Sequence, residues 1–317
     1  MATELAPFDI PPSFFVERLL EAAELEEPEE SARLAPRDRG ELLHAILREF
    51  LADPAEAAAL RGEPERQRAR LRGIAARRLA EFERVGLVGL PVLWAVEAGR
   101  IRDDLDAWLD FELDRPDALV PTWLELRFGM PAAPGADEDR RSSDEPLRLP
   151  APAGRDIRFK GRIDRVDLDA AGGALRVIDY KSGLKRGSRA AGFATGESLQ
   201  LPVYLLAAAA RAPGVRAGQA EYLFLAGGVS ADALPASDDL AGLRVALAAT
   251  AQGLADGIRA GHFFPYAGEK GTACAECRLG VVCGGGVERR SALKAGDPAV
   301  RAFVARRGAG GDEEAAE

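Results

Sequence analysis

Three residues in two neighbouring segments could together bind a divalent cation and activate a water molecule. Asp164 lies in the first segment, and Asp179 and Lys181 lie in the second, beyond a glycine-containing turn. Residues two apart on a strand share a face, so Asp179 and Lys181 point the same way if this segment is extended. With the turn centred on Gly172 and Gly173, we expect Asp164 to lie directly across from Lys181. The sequence therefore predicts that two carboxylates and an amine converge on one sheet face.

Hydrolysis of a phosphodiester is the chemistry that these residue types suit. The reaction needs a metal that polarises the phosphate, a deprotonated water and stabilisation of the developing charge. Aspartate is a natural ligand for Mg²⁺, which keeps several waters and needs few protein ligands. Lys181 could orient the attacking water or help to deprotonate it. The alternative interpretation is a charged, solvent-facing hairpin edge, where Asp and Lys are common.

Apolar periodicity and turn residues indicate the elements that must position these residues. The acidic hairpin alternates apolar and polar residues, as strands with one buried face do. Helices with an apolar stripe precede it, and two helices and a strand follow it. The predicted helices cover 13–25, 38–51, 64–85, 91–114, 198–210 and 240–260, and the predicted strands cover 120–128, 159–169, 175–183 and 220–226. This order predicts an α/β fold, with a small mixed sheet flanked by helices.

Composition and pattern divide the chain into five segments. An acidic helical segment is followed by a helical subdomain that carries His44, and then by a core that holds the acidic hairpin. Within the core, residues 130–155 are rich in Pro, Ala, Gly and charge, which indicates a mobile surface insertion. A cysteine loop follows, and then a tail that we expect to be partly disordered. The bounds of the five segments are 1–35, 36–118, 119–270, 271–290 and 291–317.

Charge and hydropathy restrict the partners. A net charge of −9 over 317 residues excludes a surface that is basic throughout, but it is compatible with a local basic groove for nucleic acid. The arginines at 66–78 are the best candidates for such a groove, and the alternative is a solvated face of an amphipathic helix. The sequence has no apolar run that could span a membrane and no secretory signal at its start. We therefore expect a cytoplasmic protein without a membrane partner.

Four motifs in order resemble the RecB- and AddB-type nuclease domains of the PD-(D/E)xK superfamily. They are Gly-Glu-Leu-Leu-His at 40–44, Gly-Arg-Ile-Asp-Arg at 161–165, Ile-Asp-Tyr-Lys-Ser-Gly at 178–183 and Gln-Leu-Pro-Val-Tyr at 200–204. The resemblance spans 36–283 and implies a restriction-endonuclease-like core with a helical N-terminal subdomain. The strand that contains Glu125 resembles the lead-in strand of the family, but we assign no catalytic role to this residue.

The resemblance also implies roles for individual residues. The implied metal ligands are an imidazole, two carboxylates and a backbone carbonyl, from His44, Asp164, Asp179 and Tyr180. In the family, the residue that matches Lys181 serves the catalytic water. The residues that match Gln200 and Tyr204 lie near the site and the DNA, where they would position the scissile strand; being four apart, they share a helix face.

Three closely spaced cysteines, Cys274, Cys277 and Cys283, favour metal ligation over a disulfide framework. They resemble the C-terminal part of the iron–sulfur staple of AddB-type nucleases. That staple uses four cysteines, and the stretch at 10–15 that would supply the first contains none. Three alternatives therefore remain open: a [4Fe–4S] cluster with a non-cysteine fourth ligand, a zinc ion completed by His262 or another residue, or reduced, buried thiols.

The resemblance leads to one main functional hypothesis and one alternative. The main hypothesis is a Mg²⁺- or Mn²⁺-dependent deoxyribonuclease, specifically an exonuclease, that acts in double-strand-break repair or recombination. DNA would be its partner, together with a helicase subunit, because the chain has no phosphate-binding loop of its own. The alternative is an inactive nucleic-acid-binding or scaffold module of a helicase–nuclease complex. The missing cysteine and the acidic net charge favour this alternative, whereas the complete set of reactive residues favours the enzyme.

Overall fold

A mixed five-stranded sheet forms the centre of the part of the chain that the computed structural model describes. The described residues are 34–86, 88–132, 139–150, 156–185, 187–261 and 285–298, with the single positions 267, 274 and 283. The strands are β1 (Val120–Phe128), β2 (Leu147–Leu149), β3 (Ile157–Phe159), β4 (Gly161–Leu168), β5 (Ala174–Lys181), β6 (Ala217–Phe224) and β7 (Ser230–Ser237). The order in the large sheet is β1-β4-β5-β6-β7, in which β5 and β6 run parallel and the other neighbours run antiparallel.

Helices cover both faces of this sheet. They are α1 (Pro36–Leu51), α2 (Pro54–Ala58), α3 (Pro64–Val85), α4 (Pro91–Leu113), α5 (Gly192–Thr195), α6 (Gln200–Ala209), α7 (Leu240–Arg259) and α8 (Val287–Ala295). Helices α6 and α7 pack with β2 and β3 around one hydrophobic core, and α1, α3 and α4 pack around a second. Along β5, Val177 belongs to the first core, whereas Ile178 and Tyr180 belong to the second. A strand that is buried on both faces explains the nearly continuous apolar sequence before Asp179.

Local signals account for most of the helix boundaries. Helices α1, α3 and α4 each begin with a proline, whose fixed φ suits the first turn of a helix and whose missing N–H costs nothing there. Helix α3 ends at Gly86, which takes the left-handed conformation that commonly terminates helices. The side chain of Asp239 caps α7 by accepting a hydrogen bond from the backbone N–H of Gly242. These signals agree with the predicted α/β class and with the predicted helices of the described residues. The predicted helix at 13–25 and the end of the tail lie outside those residues.

The register of the β4–β5 hairpin differs from the predicted one by two residues. Val166 pairs with Val177 and Leu168 with Leu175, so the register continues with Asp164 opposite Asp179 rather than opposite Lys181. The cause is a turn that is centred between Ala171 and Gly172, one position earlier than predicted, and in which Gly172 takes a φ of 68°. A shift of two residues keeps every side chain on the same face. The pairing of β4 with β5 ends at Arg165 and Ile178, so the shared face of the two aspartates and the lysine stays a prediction.

Strands β2, β3 and β7 have no counterpart of their own among the predicted strands. Strand β2 lies within 130–155, where we expected a mobile insertion, and it pairs with β3 to bury Leu147, Leu149, Ile157 and Phe159 in the first core. The predicted strand at 159–169 is divided at Lys160, where the chain passes from the small sheet to the large one. Strand β7 lies at the sheet edge and contains Pro235, which edge strands tolerate. Strands of three residues are too short to produce a periodic signal.

We predict that Gly161→Ala destabilises the protein, because the added methyl group would lie 2.8 Å from Tyr204 Cε1 and 3.1 Å from Phe128 Cε1. Overpacking of this kind costs about 1–3 kcal/mol. Gly73→Ala on α3 is the matched control, since nothing lies within 4 Å of the added atom. Alanine is favoured over glycine in a helix by about 0.5–1 kcal/mol. Urea unfolding should give free energies that change in opposite directions, and equal values for both variants would contradict the packing described here.

Candidate active site

Hydrogen bonds at one end of the sheet tie α1 to β4 and β5. Asp164 Oδ2 accepts a hydrogen bond of 2.8 Å from the backbone N–H of Tyr180. His44 Nδ1 lies 3.4 Å from Asp164 Oδ1, while His44 Nε2 donates to the Tyr180 carbonyl oxygen at 3.1 Å. Three residues that the resemblance implies as metal ligands, His44, Asp164 and Tyr180, therefore lie close together. Their meeting depends on the packing of α1 and not on strand parity.

Asp179, Lys181 and Gln200 form a closed polar group beside this contact. Asp179 is 4 % exposed, and its Oδ2 atom lies 2.6 Å from Lys181 Nζ. The Gln200 side-chain amide donates to Asp179 Oδ1 at 2.6 Å and accepts from Lys181 Nζ at 3.2 Å. With its nitrogen towards the carboxylate and its oxygen towards the ammonium, one amide satisfies both charged groups. Gln200 therefore holds the reactive ends of Asp179 and Lys181 in a fixed arrangement.

The proximity of these groups shifts their proton affinities. Burial, reinforced by the charge of Asp164, raises the pKa of Asp179 to about 6, although Lys181 opposes the shift. Burial alone would lower the pKa of His44, but the neighbouring Asp164, with help from Asp179 and Glu125, raises it to about 9. Burial and the charge of Asp164 also raise the pKa of Glu125. The charge of Asp164 thus contributes to all three shifts, in addition to burial for Asp179 and Glu125 and against burial for His44.

Glu125 joins the site, although the sequence reasoning assigned it no role. One donor atom from each of His44, Glu125 and Asp164 lies within 4.8 Å of the others. Asp179, which the resemblance implies as a ligand, lies outside this group of three and contacts Lys181 and Gln200. Two sequence signals pointed to Glu125: its place at the centre of a half-buried strand, where a charge is uncommon, and the resemblance of that strand to the lead-in strand of the family.

The residues at this site fit a divalent cation. Carboxylate and carbonyl oxygens are the ligands that Mg²⁺ and Mn²⁺ prefer, and imidazole is an additional ligand for transition metals. Asp179 Oδ2 is buried without a well-aligned hydrogen bond, despite its short contact with Lys181 Nζ. Buried carboxylates that repel each other and lack a full set of donors are stabilised by a cation.

Helix α1 is held against the end of β5 by residues close to His44. Gly40 faces Ser182, and a Cβ atom there would lie 3.5 Å from Ser182 Oγ, which is an ordinary van der Waals contact. Arg39 donates a hydrogen bond to the Ser182 carbonyl and forms ion pairs with Glu97 and Asp104 on α4. Arg39 thus fixes the position of α1, and with it the distance of the His44 imidazole from the strands.

A buried charge network supports Tyr180 from the other side. Arg165 is fully buried and donates to Tyr180 Oη at 3.1 Å, to Asp167 at 2.6 Å and to Glu112 on α4 at 2.8 Å. Arg176 also donates to Asp167, at 2.8 Å. Because buried charges persist only when they are paired, these contacts constrain β4, β5 and α4 relative to one another. The Tyr180 backbone, which contacts both His44 and Asp164, is thereby fixed.

Tyr204 differs from Gln200 in its surroundings. Its ring is 3 % exposed and packs edge-on against Phe128, with the centroids 6.0 Å apart, beside Gly161. Burial raises the pKa of Tyr204 far above its usual value. In the described structure the Tyr204 ring therefore contributes to the core at the start of β4, while Gln200 lies at the reactive group.

The arginines at 66–78 do not form an unpaired basic strip. Arg66 pairs with Glu56, and the remaining pairs join α3 to α1 and α4: Arg68 with Asp110, Arg72 with Asp106, and Arg77 and Arg78 with Glu49. These contacts agree with the solvated helix face that was the alternative interpretation of the run. They neutralise the local charge that a nucleic-acid groove would need.

The cysteine loop is only partly covered by the described residues. Cys274 is exposed and Cys283 is half-buried, and both are free thiols. Cys277 and His262 lie outside the described residues. The three alternatives for the cysteine loop therefore stay predictions.

Comparison with known proteins identifies what the chain is similar to. The family model of the PD-(D/E)XK nuclease superfamily matches residues 11–284. A stretch of 70 residues, 22 % of the chain, is 46 % identical to a subunit of an ATP-dependent helicase/deoxyribonuclease from Moorella thermoacetica. A stretch of 65 residues, 20 % of the chain, is 46 % identical to the protein of the same name from Symbiobacterium thermophilum. Each match covers 6 % of the length of the relative. Among the described residues, no helix is both long and apolar enough to cross a membrane.

We predict that the metal-free protein loses stability between about pH 6.5 and 9, because the pKa of His44 is raised from 6.5 to about 9 in the folded state. A group whose pKa rises on folding stabilises the protein fully below its unfolded pKa, and this stabilisation disappears as the pH rises through the folded pKa. Urea unfolding at pH 6 and pH 9.5, with a chelator, should show a larger loss for wild type than for His44→Gln. Parallel losses in the two proteins would contradict the predicted pKa. Because the pKa of Asp179 is raised to about 6, Asp179 also titrates near the lower pH, and the comparison with His44→Gln separates its contribution from that of His44.

Proposed function

Since the chain belongs to the PD-(D/E)XK nuclease superfamily, we propose that it is a Mg²⁺- or Mn²⁺-dependent deoxyribonuclease. The single observation that carries this proposal is the hydrogen-bonded group of Asp179, Lys181 and Gln200, directly beside the contact of Asp164 with His44. A fold that had kept only a structural role would have no need for excess negative charge that is half-buried next to an ammonium group.

The proposed metal ligands are the donors at the ends of β4 and β5 and on α1. They are the side chains of His44, Asp164 and Asp179 and the backbone carbonyl of Tyr180. When bound, the cation would polarise the scissile phosphate and favour ionisation of a water molecule. The protein fixes the donors in advance, because Asp164 is held by the Tyr180 N–H and α1 is held by Arg39.

Lys181 is proposed to orient the attacking water and to stabilise the negative charge that develops on the phosphate. Its ammonium group lies 2.6 Å from Asp179 Oδ2 and 3.2 Å from Gln200 Oε1, so its position is set by two partners. It also lies 5.0 Å above the ring of Tyr222. Gln200 would act as a positioning residue by keeping Asp179 and Lys181 in place, and Tyr204 would act by packing the start of β4.

The wider role is proposed from the relatives. Two proteins that are named as helicase/deoxyribonuclease subunits share a stretch of sequence with this chain, which supports DNA as the substrate and a helicase subunit as a partner. We propose exonuclease action in double-strand-break repair or recombination. The matched stretch is a small part of each relative. The form of DNA on which the relatives act is therefore not assigned to this chain.

We predict that Asp179→Asn and Lys181→Met each lower metal-dependent DNA cleavage by about 10²-fold or more, as expected on removal of a group that acts in the transition state. The measurement is the cleavage rate of end-labelled single- and double-stranded DNA with Mg²⁺, with Mn²⁺ and with a chelator. Asp110→Asn on α4 and Lys294→Met on α8 make the same chemical changes at exposed positions outside the site, and they should retain the wild-type rate.

The same assay separates the enzyme from the scaffold alternative. Cleavage that requires the metal and is lost in both site variants supports the enzyme. If the wild type binds DNA but does not cleave it with either metal, the proposal is wrong, and an inactive DNA-binding module is the better description.

A further inference from the structure

We infer that the loop between β5 and α5 binds the phosphate backbone of the DNA strand, and this inference rests on the DNA substrate proposed above. Arg189 would contact a phosphate, and Asp232 would position the loop that carries Arg189. The loop spans 182–191 and begins directly after Lys181, at the end of β5. Positions 180–196 contain four Lys or Arg residues and no Asp or Glu. Positive charge is thus concentrated in the segment that follows the reactive lysine.

Asp232 on β7 holds this loop through its carboxylate. Asp232 Oδ2 accepts hydrogen bonds from the backbone N–H groups of Arg189, at 2.6 Å, and Ala190, at 3.0 Å. Asp232 Oδ1 accepts a hydrogen bond of 2.7 Å from Ser188 Oγ. Lys185 attaches the loop to the same strand again, because its Nζ donates to a backbone carbonyl of β7 at 2.9 Å. Ser188 and Arg189 are exposed, yet the backbone that carries them is fixed at several points.

The burial of Asp232 is explained by the loop that it holds. Asp232 is 5 % exposed and lies on the edge strand of the sheet. Burial of a charged carboxylate is unfavourable, and here it is compensated by the N–H and O–H donors of the loop. The carboxylate is therefore stabilised only while the loop keeps this conformation. Asp232 thus couples the position of β7 to the direction in which the Arg189 side chain leaves the loop.

The ring of Tyr222 on β6 relates the position of Arg189 to that of the reactive lysine. Lys181 Nζ lies 5.0 Å from the ring centroid, and Arg189 Cζ lies 5.8 Å from the same centroid. Both distances are within the range in which a cation is attracted to an aromatic ring. The Tyr222 ring is buried, and Tyr222 Oη shares a hydrogen bond of 2.7 Å with Ser198 Oγ. The guanidinium therefore lies beside the reactive group, at a position that a fixed ring defines.

A cation at this position has a physical reason in a protein with a net charge of −9. The carboxylates of the site repel a phosphate backbone, and the arginines at 66–78 are engaged by acidic partners. A strand whose scissile phosphate lies at Lys181 carries further phosphates beside it, since every nucleotide bears one charge. Arg189 is placed to bind one of these phosphates, through a planar guanidinium that suits phosphate oxygens.

The test measures the affinity for a labelled single-stranded oligonucleotide over a series of salt concentrations. Fluorescence anisotropy is recorded with a chelator present, so that no metal-dependent cleavage occurs. Each phosphate contact contributes about 0.7 to the slope of log K against log salt concentration for a single strand. We therefore expect Arg189→Gln to reduce this slope by about 0.7 and to weaken binding equally for different sequences. Arg72→Gln is the matched control, since it removes the same charge from an exposed position on α3, and it should keep the wild-type slope.

Arg189→Lys separates a phosphate contact from a packing role. Lysine keeps the positive charge and should keep the salt slope, although it does not reproduce the planar group near the Tyr222 ring. Melting temperatures close to that of the wild type show that the variants are folded. An equal fall of the slope in Arg189→Lys and Arg189→Gln would indicate that packing matters and charge does not, which would overturn the inference.

Asp232→Asn tests whether the anchor acts through Arg189. Asparagine keeps the shape of the side chain, but its amide nitrogen cannot accept a hydrogen bond from the loop. We expect weaker oligonucleotide binding by Asp232→Asn, and no additional loss when it is combined with Arg189→Gln. Ser188→Ala removes one donor of the same anchor and allows the same comparison if Asp232→Asn does not fold. Additive losses in the double variant would contradict the positioning role of Asp232.

The outcomes separate this inference from the proposed function. If the wild type cleaves DNA but Arg189→Gln keeps the wild-type salt slope, the inference is wrong and the nuclease function is unaffected. If Arg189→Gln reduces the slope but the wild type cleaves DNA with neither metal, the phosphate contact stands and the proposed enzyme is wrong. A wild type that binds no oligonucleotide even at low salt would contradict both.

Discussion

The arrangement of the site depends on acidic side chains that the sheet forces together at one end. Strands β1, β4 and β5 bring Glu125, Asp164 and Asp179 to adjacent positions on paired strands. Burial together with the charge of Asp164 raises the pKa of Asp179, and the charge of Asp164 raises the pKa of His44 against the effect of burial. Every other feature of the site compensates for this repulsion: His44 approaches from α1, Lys181 extends from the end of β5, and the donor set fits a divalent cation.

Two layers of the fold keep these compensating groups in place. On one face, Arg39 holds α1 against the end of β5, so that the imidazole reaches Asp164. On the other face, Gln200 at the first turn of α6 joins Asp179 to Lys181. The buried Arg165 network links Tyr180 to α4 and prevents β4 and β5 from sliding. The mutually repelling carboxylates are thus held in place by hydrogen bonds and ion pairs from the surrounding packed elements.

Part of this organisation could be predicted because it is local. Apolar periodicity and the glycine turn indicated most helices and the central strands. The shared face of Asp179 and Lys181 followed from strand parity, which a register error of two residues does not change. Strands β2 and β3 could not be predicted, because three residues carry no period and their stability comes from burial against α7. The burial of Tyr204 could not be predicted either. Its spacing of four from Gln200 indicates a shared helix face but does not indicate what packs against that face.

The sequence by itself determined the α/β class, the order of the motifs and the chemical types of the reactive residues. Those properties depend on neighbouring positions and on the resemblance between short motifs. Only the tertiary structure decided that Asp164 faces Asp179 rather than Lys181, that Gln200 bridges the reactive pair, and that Glu125 stands beside His44. Each of these is a distance between elements far apart in the chain. Such distances are set by the position of turns, the sheet register and the packing of helices. Each of these depends on many contacts at once, so no single position in the sequence indicates it.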